Sequence, residues 1–194
     1  MISTGIDTPE RIIIHGDAFV PYIEAAAIER RVKELAAEIR RDLDGEPGIF
    51  ICVLNGAFMF FADLVRNLGI DCEIDFIKLS SYGEQKISSG QVRLIKDLNC
   101  EVEGRNIFIV EDIVDTGASI EYMKKLVGEK NPASLKIVTL LHKPESAQFN
   151  HCLDYVGFEI PPRFVVGYGL DYAQQARNLP SIYILDDNAT SSPK

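Results

Sequence analysis

The sequence predicts an α/β fold built on a mainly parallel sheet flanked by helices. Two observations carry this reading. Short apolar runs, of the kind buried on both faces of a sheet, alternate with stretches whose apolar residues recur every three or four positions. Clusters of glycine, proline and asparagine fall between them and place turns at the junctions. The 194 residues suit a single domain. Its core is expected over about residues 45–145, with additions from about 1–20 and 150–187.

The elements follow in chain order. Ile28, Val32, Leu35, Ile39 and Leu43 mark one face of a helix that begins near Pro21, since proline suits a first helical turn. Asp44-Gly45 and Pro47-Gly48 end it. Residues 49–54 form a continuous apolar strand, and Phe58, Phe61, Leu64, Val65 and Leu68 stripe a second helix. Ile74, Phe76 and Ile77 suggest another strand. Residues 80–90, with Gly83, Ser88, Ser89 and Gly90, read as a long mobile loop. Strands are expected over 91–95 and 106–110, then a helix from near Gly117 that buries Ile120, Met123, Leu126 and Val127. Asn131-Pro132 stops it. A further strand covers 135–141, and short strands fall at 164–166 and 182–185. The small polar tail 189–194 is expected to fray.

Composition excludes several classes of function. The formal net charge is -9, which argues against nucleic acid or an anionic membrane as partner. A polyanionic substrate would then need local donors or a metal ion. Cys52, Cys72, Cys100 and Cys152 include no C-x-x-C pair, which speaks against zinc, and Cys52 and Cys72 read as buried free thiols. The three histidines show no ligand spacing. Residues 1–21 carry no signal-like pattern, and the longest uncharged stretch, 49–62, falls short of the ~20 residues a membrane helix needs. A reduced, cytoplasmic protein is expected.

The most informative segment is 107–119, IFIVEDIVDTGAS. Four apolar residues form a strand, with Glu111 and Asp112 at its carboxyl end, and a loop through Asp115, Thr116 and Gly117 leads into a helix. Ligands bind at that crevice in open parallel sheets. Loop amides, the helix N-terminus and the hydroxyls of Thr116 and Ser119 make a phosphate cradle. Adjacent carboxylates can accept hydrogen bonds from sugar hydroxyls and help hold a divalent cation. Acids after a strand also serve as ordinary helix caps. Three within five residues, however, repel one another unless a cation or donors compensate. The pattern implies a phosphorylated sugar.

This segment resembles the phosphoribosyl pyrophosphate (PRPP) signature of the type I phosphoribosyltransferases, an apolar strand leading into two acids, two apolar residues, Asp, a hydroxyl residue and Gly. The resemblance, to the hypoxanthine-guanine branch, extends over about residues 49–187. Residues 53–63, VLNGAFMFFAD, resemble that branch's pyrophosphate loop, and 156–172, VGFEIPPRFVVGYGLDY, a stretch specific to it. The resemblance implies the type I phosphoribosyltransferase fold, with the chain's two ends forming a small hood over the core. It implies transfer of the 5-phosphoribosyl group from PRPP to a 6-oxopurine, hypoxanthine and also guanine, with Mg2+ as cofactor and a homodimer or homotetramer as the assembly.

The resemblance also assigns residues. Asn55, Gly56 and Arg177 would meet pyrophosphate, and the Leu54–Asn55 peptide corresponds to one that can be cis in the family. Many members have Lys where this chain has Asn55, so neutralisation must come from backbone amides, the metal or Arg177. Glu111 and Asp112 would grip the ribose hydroxyls and, with Asp171, the metal. Thr116, Gly117, Ala118 and Ser119, with Asp115, form the loop for the 5-phosphate, and Asp115 is the catalytic acid/base near purine N7. Ser81 and Tyr82 open a flexible loop that closes over the reaction centre. Lys143 would bind the purine 6-oxygen, Phe164 would stack on the ring, and the Val165 backbone would address its N1 and 2-position edge. Arg163 stands where many relatives have Lys, and Ala118 where several have a bulky or basic residue.

Two other functions compete. Asp115-Thr116-Gly117 within VDTGAS resembles the active-site turn of retroviral-type aspartic proteases, which are all-β and pair two such turns. A PRPP-binding regulator would keep the fold without the reaction, but would carry an extra nucleic-acid module or a basic face.

Overall fold

The apolar run after Gly48 has no polar face to offer water, and it lies in the middle of the larger of two sheets. The computed structural model describes residues 9–81, 92–146 and 153–187. In chain order the elements are β1 (Ile12–Ile14), β2 (Asp17–Ile23), α1 (Ala25–Leu43), β3 (Gly48–Leu54), α2 (Phe58–Leu68), β4 (Cys72–Ser81), β5 (Val92–Lys96), β6 (Asn106–Val114), α3 (Ala118–Gly128), β7 (Ser134–His142), β8 (Tyr155–Glu159), β9 (Val165–Val166) and β10 (Ile182–Leu185). The larger sheet has the order β5-β4-β3-β6-β7-β8. All its pairings are parallel except β4 with β5, which is antiparallel.

Alternation along β3 and β6 builds a core on each face. Phe50, Cys52, Phe108 and Val110 pack with α1 and α2, through Ile28, Leu35, Ile39, Phe60, Phe61 and Leu64. Ile49, Ile51, Ile107 and Ile109 pack with α3, through Ile120, Met123 and Val127. Phe50 and Phe108 stack with centroids 4.6 Å apart. The smaller sheet is antiparallel, in the order β1-β2-β10-β9, and joins the two ends of the chain. Val165, Ile182 and Ile184 turn inward to the main core, while Phe19, Val166 and Tyr183 form a small cluster of their own.

The structure departs from the sequence reading in identifiable places. Pro21 does not start α1 but sits in β2, opposite Tyr183 next to a register shift. Among the described residues β1 pairs with β2 only as far as Phe19, so Pro21 sits where β2 is paired on one side alone, a place a strand tolerates proline. Phe58, expected in the buried stripe, is the first residue of α2 and is 40% exposed, and Phe60 is buried in its place. Cys72 is half-buried and Cys52 fully buried. Strand β6 runs four residues past the expected end at 110, so Glu111 and Asp112 lie within it. The region expected to add to the core from about residue 150 contributes β8 to the larger sheet, pairing with β7. The sequence offers little to find β8, since glycine interrupts it and only Tyr155 is buried.

Candidate active site

Two neighbouring carboxylates belong on opposite faces of a regular strand. In β6 the alternation slips. Phe108 and Val110 face α1 and α2, Ile107 and Ile109 face α3, and then Ile113 joins the first set and Val114 the second. The slip falls at Glu111 and Asp112 and lets their carboxyls interact. Burial, then the charge of Asp112, pushes Glu111 well above the usual carboxylate range. Burial likewise raises Asp112 to about 6, although the Ile113 amide and the Arg177 guanidinium pull it down. Cys52 on β3 is pushed up to about 12 by its own burial and then by the two acids. An acid pair held this way favours whatever brings positive charge or hydrogen-bond donors.

The turn after β3 closes over this pair. The Leu54–Asn55 peptide is cis. A side chain on Gly56 would overlap the Asp112 carboxylate, so only glycine lets the turn come this close.

Past Val114 the chain turns through Asp115 and Thr116 into α3. Gly117 caps the helix at φ 87°, a left-handed conformation suited to glycine. Gly117 at the N-cap has no side chain to cap the helix, so first-turn amides other than that of Ala118, which meets Thr116, can turn to an anion. The Ala118 amide lies 3.4 Å from Thr116 Oγ1, and Ser119 is in the first turn. Lys143 follows β7, its backbone N–H donating to the Val114 carbonyl at 2.9 Å. Its Nζ lies 2.9 Å from Asp115 Oδ2, and the residue is 8% exposed. The two residues are 28 apart in sequence, and parallel pairing of β6 with β7 brings them together.

The smaller sheet supplies the third group. Val165 pairs with Ile184, and the Phe164 carbonyl accepts from the Leu185 amide at 2.9 Å. Phe164 stands 44% exposed, edge-on to Tyr172 at 5.4 Å. Arg163 is tied to Asp187 at 2.8 Å and to the Leu185 carbonyl. Beyond β9, Gly169 presses so closely on the Gly56 carbonyl that a side chain there would overlap it. Its amide donates to the Arg177 carbonyl and its carbonyl accepts from Arg177 Nη1, both at 2.9 Å. Arg177 also pairs with Asp171 at 2.8 Å.

The structure thus draws Gly56, Asp112, Gly169 and Arg177 together, and separately Asp115 with Lys143. It does not gather Asp171 with Glu111 and Asp112 as a metal cage. Among the described residues no three such donors form a group, and Asp171 is neutralised by Arg177 instead. Ser81 ends β4, and Tyr82 lies outside the described residues. Gly169 is a site residue the sequence reading did not single out. Its one signal was the pattern Gly167-Tyr168-Gly169, which has no meaning until the turn at Gly56 is placed against it. The protease alternative is overturned, because the Asp-Thr-Gly turn sits between a parallel strand and a helix, not in an all-β fold.

Comparison with known proteins gives the chain its relatives. The family of the phosphoribosyl transferase domain matches residues 22–173. The hypoxanthine-guanine phosphoribosyltransferase of Bacillus subtilis is 47% identical over 163 residues, covering 84% of this chain and 91% of that one. The enzyme of the same name from Aquifex aeolicus is 39% identical over 175 residues, covering 90% and 98%. A crystal structure of a hypoxanthine-guanine phosphoribosyltransferase from Bacillus anthracis superposes with a TM-score of 0.81 at 43% identity, over 86% of this chain and 98% of that one.

Proposed function

The chain belongs to the phosphoribosyl transferase family, and from that membership we propose that it is a purine salvage enzyme. It transfers the 5-phosphoribosyl group of PRPP to hypoxanthine, and also to guanine, giving IMP or GMP and pyrophosphate. The observation that carries this is the Asp115–Lys143 pair. An acceptor and an ammonium donor stand 2.9 Å apart, beside the N-terminus of α3 and an acid pair that burial pushes up. The N7 and 6-oxygen of a 6-oxopurine are neighbours on one edge, and they need that order of acceptor and donor once N7 carries a proton.

The reaction exchanges pyrophosphate for purine N9 at the anomeric carbon, through a ring with oxocarbenium character. The first turn of α3, with Thr116, Gly117, Ala118 and Ser119, holds the 5-phosphate. That remote anchor positions the reacting carbon. Glu111 and Asp112 accept from the ribose hydroxyls. Asp115 takes the proton at N7 as N9 bonds to carbon. Lys143 donates to the 6-oxygen, Phe164 stacks on the ring, and the Val165 backbone meets its far edge. Asn55, Gly56 and Arg177 receive the pyrophosphate, and Ser81 and Tyr82 begin the covering loop.

Magnesium fits these residues. The raised acid pair offers one or two carboxylates with cation-seeking character, the donor set magnesium takes when substrate oxygens complete its shell. Glu111 and Asp112 would hold it with the substrate, and Asp171 would join by exchanging its guanidinium partner. Bound there, it would neutralise the diphosphate leaving group. Among the described residues no helix is long and apolar enough to cross a membrane, and Cys52, Cys72 and Cys100 are free thiols, which suits a cytoplasmic enzyme. The assembly is a homodimer or homotetramer. The deciding experiment incubates the protein with PRPP, magnesium and each purine, and identifies the nucleotide. IMP and GMP are expected; no nucleotide from any 6-oxopurine would refute the reading.

A further inference from the structure

Tyr168 holds a left-handed backbone conformation, φ 49°, between Gly167 and Gly169. A bulky residue adopts it only where its surroundings impose it. Two contacts do so. The Tyr168 amide donates to the Leu179 carbonyl at 2.8 Å, and its hydroxyl donates to the Asp63 carboxylate on α2 at 2.7 Å. Tyr168 is 6% exposed, whereas its acceptor Asp63 is half-buried and also faces Arg66 at 3.4 Å.

Asp63 is the sixth residue of α2, and Gly56 lies in the turn that leads into that helix. Residues 168 and 169 meet both points, Gly169 on the Gly56 carbonyl and Tyr168 on Asp63. Helix α2 is continuous with the turn, since the Phe61 amide donates to the Ala57 carbonyl at 2.8 Å. Both backbone groups of Gly169 are in turn bonded to Arg177. A displacement of residue 168 thus moves the guanidinium relative to the Asn55–Gly56 turn. Asn55 brings no charge to that turn, so the placement of Arg177 matters more.

We propose that the Tyr168–Asp63 hydrogen bond is a positioning contact for pyrophosphate, setting the separation between the Asn55–Gly56 turn and Arg177. It rests on the transferase reading above for the identity of the ligand. Neither residue touches the purine side, where Asp115, Lys143 and Phe164 lie on other elements.

The test compares Tyr168→Phe, Asp63→Ala and Asp63→Asn with the parent. Two readouts are used, the KM of PRPP and of hypoxanthine, and calorimetric binding of pyrophosphate with magnesium. Misplacement of a binding group should raise the KM of PRPP and the Kd of pyrophosphate ~10-fold in Tyr168→Phe and Asp63→Ala. The KM of hypoxanthine should stay within about two-fold of the parent. Asp63→Asn keeps an acceptor for the hydroxyl and should recover most of the loss. The double variant Tyr168→Phe/Asp63→Ala should be no worse than Asp63→Ala alone, because that change already removes the Tyr168 bond, together with the exposed Arg66 pair. Parental PRPP and pyrophosphate values in Tyr168→Phe would overturn the proposal, as would equal losses for both substrates, the mark of a general structural defect. A parent that binds pyrophosphate but forms no nucleotide would refute the transferase reading, and the pyrophosphate arm would still decide the positioning role.

Discussion

At the residue scale the site divides its acids by surroundings. Asp115 faces Lys143, whereas the buried Glu111 carboxyl interacts with that of the half-buried Asp112. Asp115→Asn keeps size and removes proton acceptance. It should lower the single-turnover rate by ~10²–10⁴-fold with little change in PRPP binding. Glu111→Gln should instead weaken PRPP binding, since ribose contacts exist before the chemistry. An Asp115→Asn protein that binds donor poorly yet turns over at the parental rate would make Asp115 a binding residue. Lys143 should set base choice. An ammonium cannot accept from the 6-amino group of adenine, a mismatch of roughly 1–3 kcal/mol. Lys143→Ala should therefore narrow the ratio of hypoxanthine to adenine use, and an unchanged ratio would remove Lys143 from that role. Most of these residues were legible because a strand-end acid cluster before a Gly-capped helix has a chemistry of its own. The Lys143 contact with Asp115 was not legible, because nothing local in 141–143 tells that the strand will pair beside β6. Gly169 and Tyr168 were missed for the same reason, as their meaning lies in an approach to α2 from a hundred residues away.

At the element scale the sequence was most readable where an apolar run leaves no choice of face. Strand β3 and the stripes of α1 and α3 fall where the pattern puts them. It was least readable where tertiary pairing overrides local preference, as with Pro21 in β2 and the glycine-broken β8. Asp75 is a further instance. It sits in β4 with 6% exposure, and it accepts from the amides of Phe76 at 2.7 Å, Asn99 at 2.5 Å and Cys100 at 3.0 Å. Lys96 approaches it at 3.3 Å. Burial alone would raise this carboxyl, but the three amides hold it well below the usual range. It ties the segment between β5 and β6 to the sheet. A depressed carboxylate contributes stability above its unfolded value, near pH 4, and loses it as pH falls further toward the folded value. Asp75→Asn should thus cost roughly 1–3 kcal/mol near neutral pH, and the deficit should shrink toward pH 3. Urea titrations of both proteins at the two pH values measure this. An equal deficit at both would show that the charge contributes nothing.

At the scale of the whole molecule, an acidic chain of net charge -9 has to accept a substrate with several phosphate charges of its own. The smaller sheet brings a guanidinium to the crevice, but Arg177 already answers Asp171. The pair on β6 is answered only in part, by Arg177 and the Ile113 amide at Asp112. Asp112 is raised to about 6 and Glu111 is raised as well, each by burial first. Without a cation, these acids stabilise the fold fully below their unfolded values, near pH 4, and that contribution is lost as pH rises through the folded values. Ionising them is what a bound divalent cation would reward, so cation binding should release protons. Two outcomes are expected. Activity should disappear on exhaustive chelation and return with magnesium, because Arg177, already paired with Asp171, cannot alone balance the diphosphate and the β6 acids. The apparent affinity for magnesium in the presence of PRPP should also fall as pH drops below about 6, by up to roughly tenfold per unit for each proton displaced. In Asp112→Asn that dependence should flatten, because one of the two displaced protons is gone. Full turnover after chelation would remove the cation from the mechanism. A magnesium affinity equally steep with pH in parent and variant would instead keep the cation and place it away from the β6 acids.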